Sequence, residues 1–117
     1  MSEKKFFVLF AIPATTMQEW MTTVDEAMRK KQSEEMMQAW QAWMGEHEKS
    51  LLDKGLPLGK TKRVTASGVA DTRNDLNWYL IVDAPSHEAA GEMFKDHPFL
   101  RIPNSYIEIM DASHRPM

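Results

Sequence analysis

The order of segments in this chain predicts an α+β domain of ferredoxin-like type, a βαββαβ unit with a four-stranded antiparallel sheet and an extra N-terminal helical segment. Three observations carry that expectation. The segments Lys5 to Ile12 and Leu76 to Ala84 are apolar on both alternating faces, as strands covered on both sides are. Apolar residues at helical spacing follow each of them. A last short run, Tyr106 to Met110, returns to strand character. A chain of 117 residues can bury one core without a staple, so residues 1–117 are expected to form a single domain, with a loose tail from 111 to 117.

Pro13 closes the first strand, and Thr15 with Gln18, or Thr16 with Glu19, offers a capping box for a helical start. Met17, Trp20, Met21, Val24 and Met28 then form a stripe running to about Lys31, weakened at Thr22 and Thr23, so this stretch is one helix or two short ones. Ser33, followed by Glu34 and Glu35, is suited to cap the longest helix, which is expected to end near Lys54 before Gly55. Its stripe is Met36, Trp40, Trp43, Met44, His47 and Leu51. Leu58 to Thr65, with Lys60, Lys62 and Arg63, reads as a basic edge strand, and Ala66 to Asn77 as a polar loop. After Ala84, Pro85 breaks the strand and Ser86 caps a short helix with Ala89, Ala90, Met93 and Phe94 inward. Pro98 disfavours helical geometry at His97, and Ile102-Pro103-Asn104-Ser105 turns the chain into the last strand.

The composition narrows the function classes. A net charge of −3 argues against a nucleic-acid surface, and the absence of cysteine removes disulfides and thiol catalysis, as suits a cytoplasmic protein. The apolar run from Phe6 to Ile12 is too short to span a membrane or to serve as a signal core, so no membrane partner is expected. No phosphate loop or metal-ligand spacing is present, and neither a cofactor nor a metal is expected; four dispersed histidines do not make a zinc site. Ten methionines and four tryptophans, concentrated in the central helical segments, suit core packing or an adaptable apolar pocket.

With both helical layers on one side of the sheet, the other side is bare. Phe6, Val8 and Phe10 oppose Phe7, Leu9 and Ala11 on the first strand, and Trp78, Leu80 and Val82 oppose Tyr79 and Ile81 on the strand from Leu76, so either face turned outward would leave a broad apolar surface. Two copies packed sheet to sheet would cover it, which predicts a two-fold homodimer.

Nearly the whole chain carries a resemblance. FFVLFAIP, WQAWMGEHEKSLLDKGLPLG, WYLIVDAPSHEAAGEMFKDHPFL and the closing IPNSYIEIMD are similar to the YCII-related and DGPF-domain families of small bacterial proteins. Asp96-His97-Pro98-Phe99 and Tyr106-Ile107-Glu108-Ile109-Met110 are the most specific pieces. The resemblance implies a dimeric α+β barrel with a pocket between sheet and helices; some members have been proposed as enzymes that use a His-Asp pair. The chain departs from the pattern in having Asp71-Thr72-Arg73-Asn74-Asp75 in place of the DGPF tetrapeptide, and in the helical stretch from Thr15 to Lys31.

His47, in the middle of an apolar stripe beside Trp43 and Met44, is either a core histidine satisfied by one carbonyl or a neutral base in a pocket. His97 either caps the preceding helix as a cation or turns toward a pocket mouth. Asp83 and Asp75, at the two ends of the Leu76 strand, are candidate carboxylate partners or solvated strand-end residues. Lys62 and Arg63 could meet an anion or remain solvated, and His87 and His114 are expected to be exposed. Two functions follow. One is a homodimer that binds a small apolar or aromatic molecule in a pocket lined by Trp40, Trp43, Met44 and Phe99, with His47 and His97 orienting it. The other is a cofactor-independent lyase, isomerase or hydrolase acting on a small acid or lactone, with His47 or His97 as base and Asp83 or Asp75 as its partner.

Overall fold

A computed structural model describes residues 4–113. The elements are β1 (Lys4–Ala11), α1 (Ala14–Thr23), α2 (Glu26–Glu46), β2 (Leu51–Asp53), β3 (Thr61–Thr65), β4 (Gly68–Thr72), β5 (Leu76–Ala84), α3 (His87–Phe94) and β6 (Tyr106–Asp111), with short 3-10 turns at Glu48–Ser50 and Pro98–Arg101. The architecture is α+β. Four strands form one antiparallel sheet in the order β2-β5-β1-β6, and β3 and β4 form a separate two-stranded ribbon.

β1 sits in the middle because both of its faces and both of its edges can be used. Phe6, Val8 and Phe10 stand opposite Val82, Leu80 and Trp78 of β5, while Val8 and Phe10 stand opposite Ile109 and Ile107 of β6. This face meets Trp43 of α2, Ala90 and Phe94 of α3, and Phe99 of the second 3-10 turn to form the core. Each large apolar side chain fully buried there contributes roughly 1.5–3 kcal/mol relative to exposure. The alternate positions, Phe7, Leu9, Tyr79 and Ile81, remain half-buried on a face with no covering layer among the described residues. The molecule is accordingly flat, with extents of 50 × 45 × 19 Å.

The two main strands, the Ser86-capped helix and the closing strand lie where the sequence predicts. Ser86 Oγ accepts from Ala89 N–H at 3.0 Å, and the residue before Pro98 is extended, with ψ 135° at His97. Pro103 and Asn104 make the predicted turn, closed by Ser105 N–H to Ile102 O at 3.2 Å, with Asn104 at φ +63°. Asn tolerates that left-handed conformation better than most residues.

Five local expectations need correction. The helical break falls at Val24-Asp25 rather than before Ser33: Thr22 and Thr23 hydroxyls bond back to Gln18 and Glu19 carbonyls, Val24 is extended, and Asp25 Oδ1 caps α2 through Met28 N–H at 2.8 Å. Ser33 is therefore internal to α2. At the start of α1 no side chain caps the helix, so neither Thr15 nor Thr16 closes a capping box; Pro13 precedes it instead. The long helix stops at Glu46, and Leu51–Asp53 is the sheet's second strand, paired with β5. The basic segment is not in that sheet: Thr61–Thr65 folds back on Gly68–Thr72, inside what reads as loop, with Lys62 Nζ 2.6 Å from Asp71 Oδ1 across the ribbon. The end of the chain is tied down as far as it is described, Asp111 within β6 and Ala112 N–H on Lys5 O at 2.9 Å; residues 114–117, with His114, lie outside the described residues.

Gly55 holds the connection after β2 against the sheet. Its φ is +76°, and a Cβ built there would fall 2.6 Å from Trp78 Nε1 and on top of the Tyr79 carbonyl. Gly55→Ala is expected to lower the unfolding free energy by about 2 kcal/mol or more, since both strain and overlap oppose it. Urea titration checks this, and a variant as stable as the wild type would contradict the close approach.

Candidate functional site

The last turns of α2 and the edge of β5 enclose an open cleft of about 470 Å³. Trp40, Met44 and Trp78 supply its apolar surfaces, and Gln41, Glu48 and Lys54 its polar ones. The apolar walls arise from two different periods. Trp40 and Met44 are four residues apart on one helical face, while Trp78 shares the inward face of β5 with Leu80 and Val82. Trp78 is fixed by donation from Nε1 to Lys54 O at 3.1 Å, and Trp40 meets it edge-on at 5.8 Å between ring centroids. Lys54 Nζ lies 3.2 Å from Glu48 Oε1, an exposed pair worth little to stability.

Behind Trp40 lies His97, the one polar or charged residue of the described chain that is buried, at 2% exposure. Its ring is enclosed by Trp40 and Trp43, each at 4.5 Å, and by Phe10 at 5.0 Å. Nδ1 accepts from the Phe99 backbone N–H at 3.0 Å, capping the 3-10 turn. That bond assigns the proton of the neutral ring to Nε2. The Nε2 atom is buried and has no hydrogen-bond partner among the described residues. A buried donor left unsatisfied costs about 1–3 kcal/mol. Burial, and secondarily the neighbouring His47, lowers the His97 pKa to about 3, so the ring is neutral at ordinary pH.

His47 ends α2. Its Nδ1 donates to Trp43 O at 2.9 Å, and its half-buried ring stacks on Trp43 at 4.1 Å. Trp43 thus packs against two imidazoles. Among the residues singled out from sequence, Trp40 and Met44 line the cleft; Trp43, Phe99 and His97 form the core directly behind it. Asp83 is elsewhere. It alternates with buried Val82 and Ala84, stands opposite Lys5 of β1, and therefore belongs to the uncovered face of the sheet. Asp75 precedes β5, with its carbonyl accepting from Ile12 N–H at 2.8 Å. His87 is exposed yet engaged, its Nε2 donating to Ile109 O at 2.7 Å. No cluster of three His, Cys, Asp or Glu side chains among the described residues could hold a metal ion, and no helix among them is long and apolar enough to cross a membrane.

Trp78, Lys54, Gly55, Gln41, Gly45 and Glu48 complete the cleft and are absent from the set derived by sequence reasoning. Trp78 carries a usable signal, an aromatic at the start of a doubly apolar strand. Lys54 and Gly55 do not, because their position depends on the short β2, which reads as helix. No family model matches the chain, and no curated protein matches its sequence.

Because the unfolded chain protonates this histidine below about pH 6.5 and the folded chain only near pH 3, stability contributed by a neutral His97 is complete above pH 6.5 and is lost as pH falls toward 3. Between pH 7 and pH 5 the wild type should lose on the order of 1–2 kcal/mol more than His97→Phe. Urea unfolding of both proteins at the two pH values measures the difference; parallel losses would contradict a buried neutral ring.

Proposed function

We propose that the protein is a homodimer that binds a small molecule in the cleft between α2 and β5, and that it is a YCII-related, DGPF-type protein with the dimeric α+β barrel arrangement. The observation that carries the binding reading is the cleft itself, where Trp40, Met44 and Trp78 provide apolar contact and Gln41, Glu48 and Lys54 provide a few polar groups beside it. The ferredoxin-like assignment is supported by strand order. Counted along the chain, the four sheet strands are arranged 2-3-1-4, with the β3–β4 ribbon inserted between the second and third.

The dimer is supported by the uncovered sheet face. Phe7 stacks on Tyr79 at 5.7 Å, and Phe7 stands between Ile81 and Met110 across the strands, forming an apolar patch on the face opposite the core. A second copy applied by a two-fold axis offers the same patch in return. The catalytic alternative lacks comparable support. Asp83 and His97 lie on opposite faces of the sheet, and neither His47 nor His97 is among the residues lining the cleft.

Sedimentation velocity at micromolar concentration should give twice the chain mass for the wild type and the chain mass for Phe7→Glu combined with Ile81→Glu. A monomeric wild type would remove the dimer. In a thermal-shift screen of apolar and aromatic metabolites, hits should lose at least half of their stabilisation in Met44→Ala, which truncates the cleft wall without touching the sheet. Hits that stabilise both proteins equally would place binding outside the cleft.

A further inference from the structure

Two tryptophans line the cleft, and they are not held equally. Trp78 is anchored by its bond to Lys54 O, whereas the Trp40 indole makes no hydrogen bond among the described residues and packs by its rings on Phe10, Trp78, His97 and Phe99. Trp40 also touches both the cleft and the buried imidazole, edge to face with His97 at an interplanar angle of 83°. Trp40 is thus the one described residue lining the cleft whose ring also packs on the imidazole that carries the unpartnered Nε2–H.

We infer that Trp40 is a gate, and that the ligand of the cleft is an uncharged apolar molecule with an oxygen acceptor at its leading end, which passes Trp40 and accepts a hydrogen bond from His97 Nε2. This inference rests on the cleft being the binding site and adds the chemical class of what binds there. The class follows from the surroundings of the donor. Phe10, Trp40, Trp43 and Phe94 enclose the imidazole, so whatever displaces Trp40 there meets apolar rings, and an ionised carboxylate would have to shed its water beside a neutral ring. A ketone, ester or amide oxygen satisfies the donor without that penalty. A buried donor that protein groups leave unpaired is available to a ligand in a way that a satisfied core histidine is not.

Acetophenone and α-methylstyrene test the inference, because they share shape and differ in having an acceptor oxygen or a methylene group. Affinities are measured by NMR titration, following tryptophan ring protons for occupancy and the His97 Nε2 resonance for contact. Acetophenone should bind roughly tenfold more tightly and move the Nε2 signal in the wild type. The preference should vanish in His97→Phe and in His97→Asn, whose oxygen keeps an acceptor for Phe99 N–H so that the 3-10 turn stays capped, while its shorter amide donor stops short of the Nε2 position. Equal affinities with an unmoved Nε2 signal overturn the inference and leave the cleft as a binding site. Failure of both compounds to shift any tryptophan removes the cleft reading along with it. Without any ligand, exchange of the His97 imidazole C2 proton, read by mass spectrometry, should accelerate about tenfold or more in Trp40→Ala; an unchanged rate in a folded variant overturns the gate.

Discussion

The pairing of β1 with β5 is the constraint on which the rest of the molecule depends. Seven consecutive positions from Lys4 to Phe10 stand in unbroken register against Ala84 to Trp78, before the ladder shifts at Ala11. A one-residue slip would exchange the inward Phe6, Val8 and Phe10 for Phe7 and Leu9. In a sheet with one polar face such a slip is opposed by exposure of the apolar set. Here both sets are apolar, and the choice is made by what each face meets: small Ala90 and the rings of Trp43, Phe94 and Phe99 fit against Phe6, Val8 and Phe10. Phe10 carries the consequence furthest, because its ring touches Trp40, Phe94, His97 and Phe99 together. Position and enclosure of the buried imidazole are thus set by strand register.

Much of this architecture was legible from the sequence where a periodic signal was long and unopposed. β1 and β5 are eight and nine residues of β-branched, aromatic or leucine-rich chain, and α3 begins at a serine cap and ends before His97-Pro98. The failures share a cause. Leu51 continues the spacing of Trp40, Trp43, Met44 and His47, because it faces the same core from a strand that those residues face from a helix. Three residues of β2 are too few to show their own alternation against that background. Similarly, the β3–β4 ribbon places Val64 opposite Val69 with both exposed, at 73% and 64%, so its apolar residues report no core and its polar turn resembles a plain loop.

The site was legible in part for a related reason. Helical spacing correctly gathered Trp40, Trp43, Met44 and His47 on one side of α2, but a stripe wider than 100° extends from the core to its margin. Trp43 points into the core, Trp40 and Met44 reach its edge and the cleft, and His47 lies where the helix ends. At His97 the proline rule gave the backbone conformation and not the destination of the ring. A cap for the preceding helix and a cap for the following 3-10 turn require opposite protonation behaviour, donor or acceptor, and only the Phe99 N–H contact distinguishes them. Trp78 and Lys54 are joined across 24 residues of sequence, a distance over which no local pattern speaks.

The apolar patch and the cleft lie on opposite sides of the sheet, and this separation matters for how they work together. The apolar patch of Phe7, Leu9, Tyr79 and Ile81 is on the uncovered face, whereas the cleft and the His97 ring belong to the helical face. A partner laid on the bare face would therefore leave the cleft mouth open to solvent. It would also press on β1 and β5 from behind, and Phe10 and Trp78, which stand opposite each other on those strands, both contact Trp40. Association and ligand entry would then meet at the same tryptophan through packed side chains, without a shared surface. The radius of gyration of 16.3 Å, against about 13 Å for a compact chain of this length, reflects how much of this protein extends beyond its own core. The core that remains is small, and its one polar member among the described residues, His97, packs directly behind the Trp40 wall of the cleft.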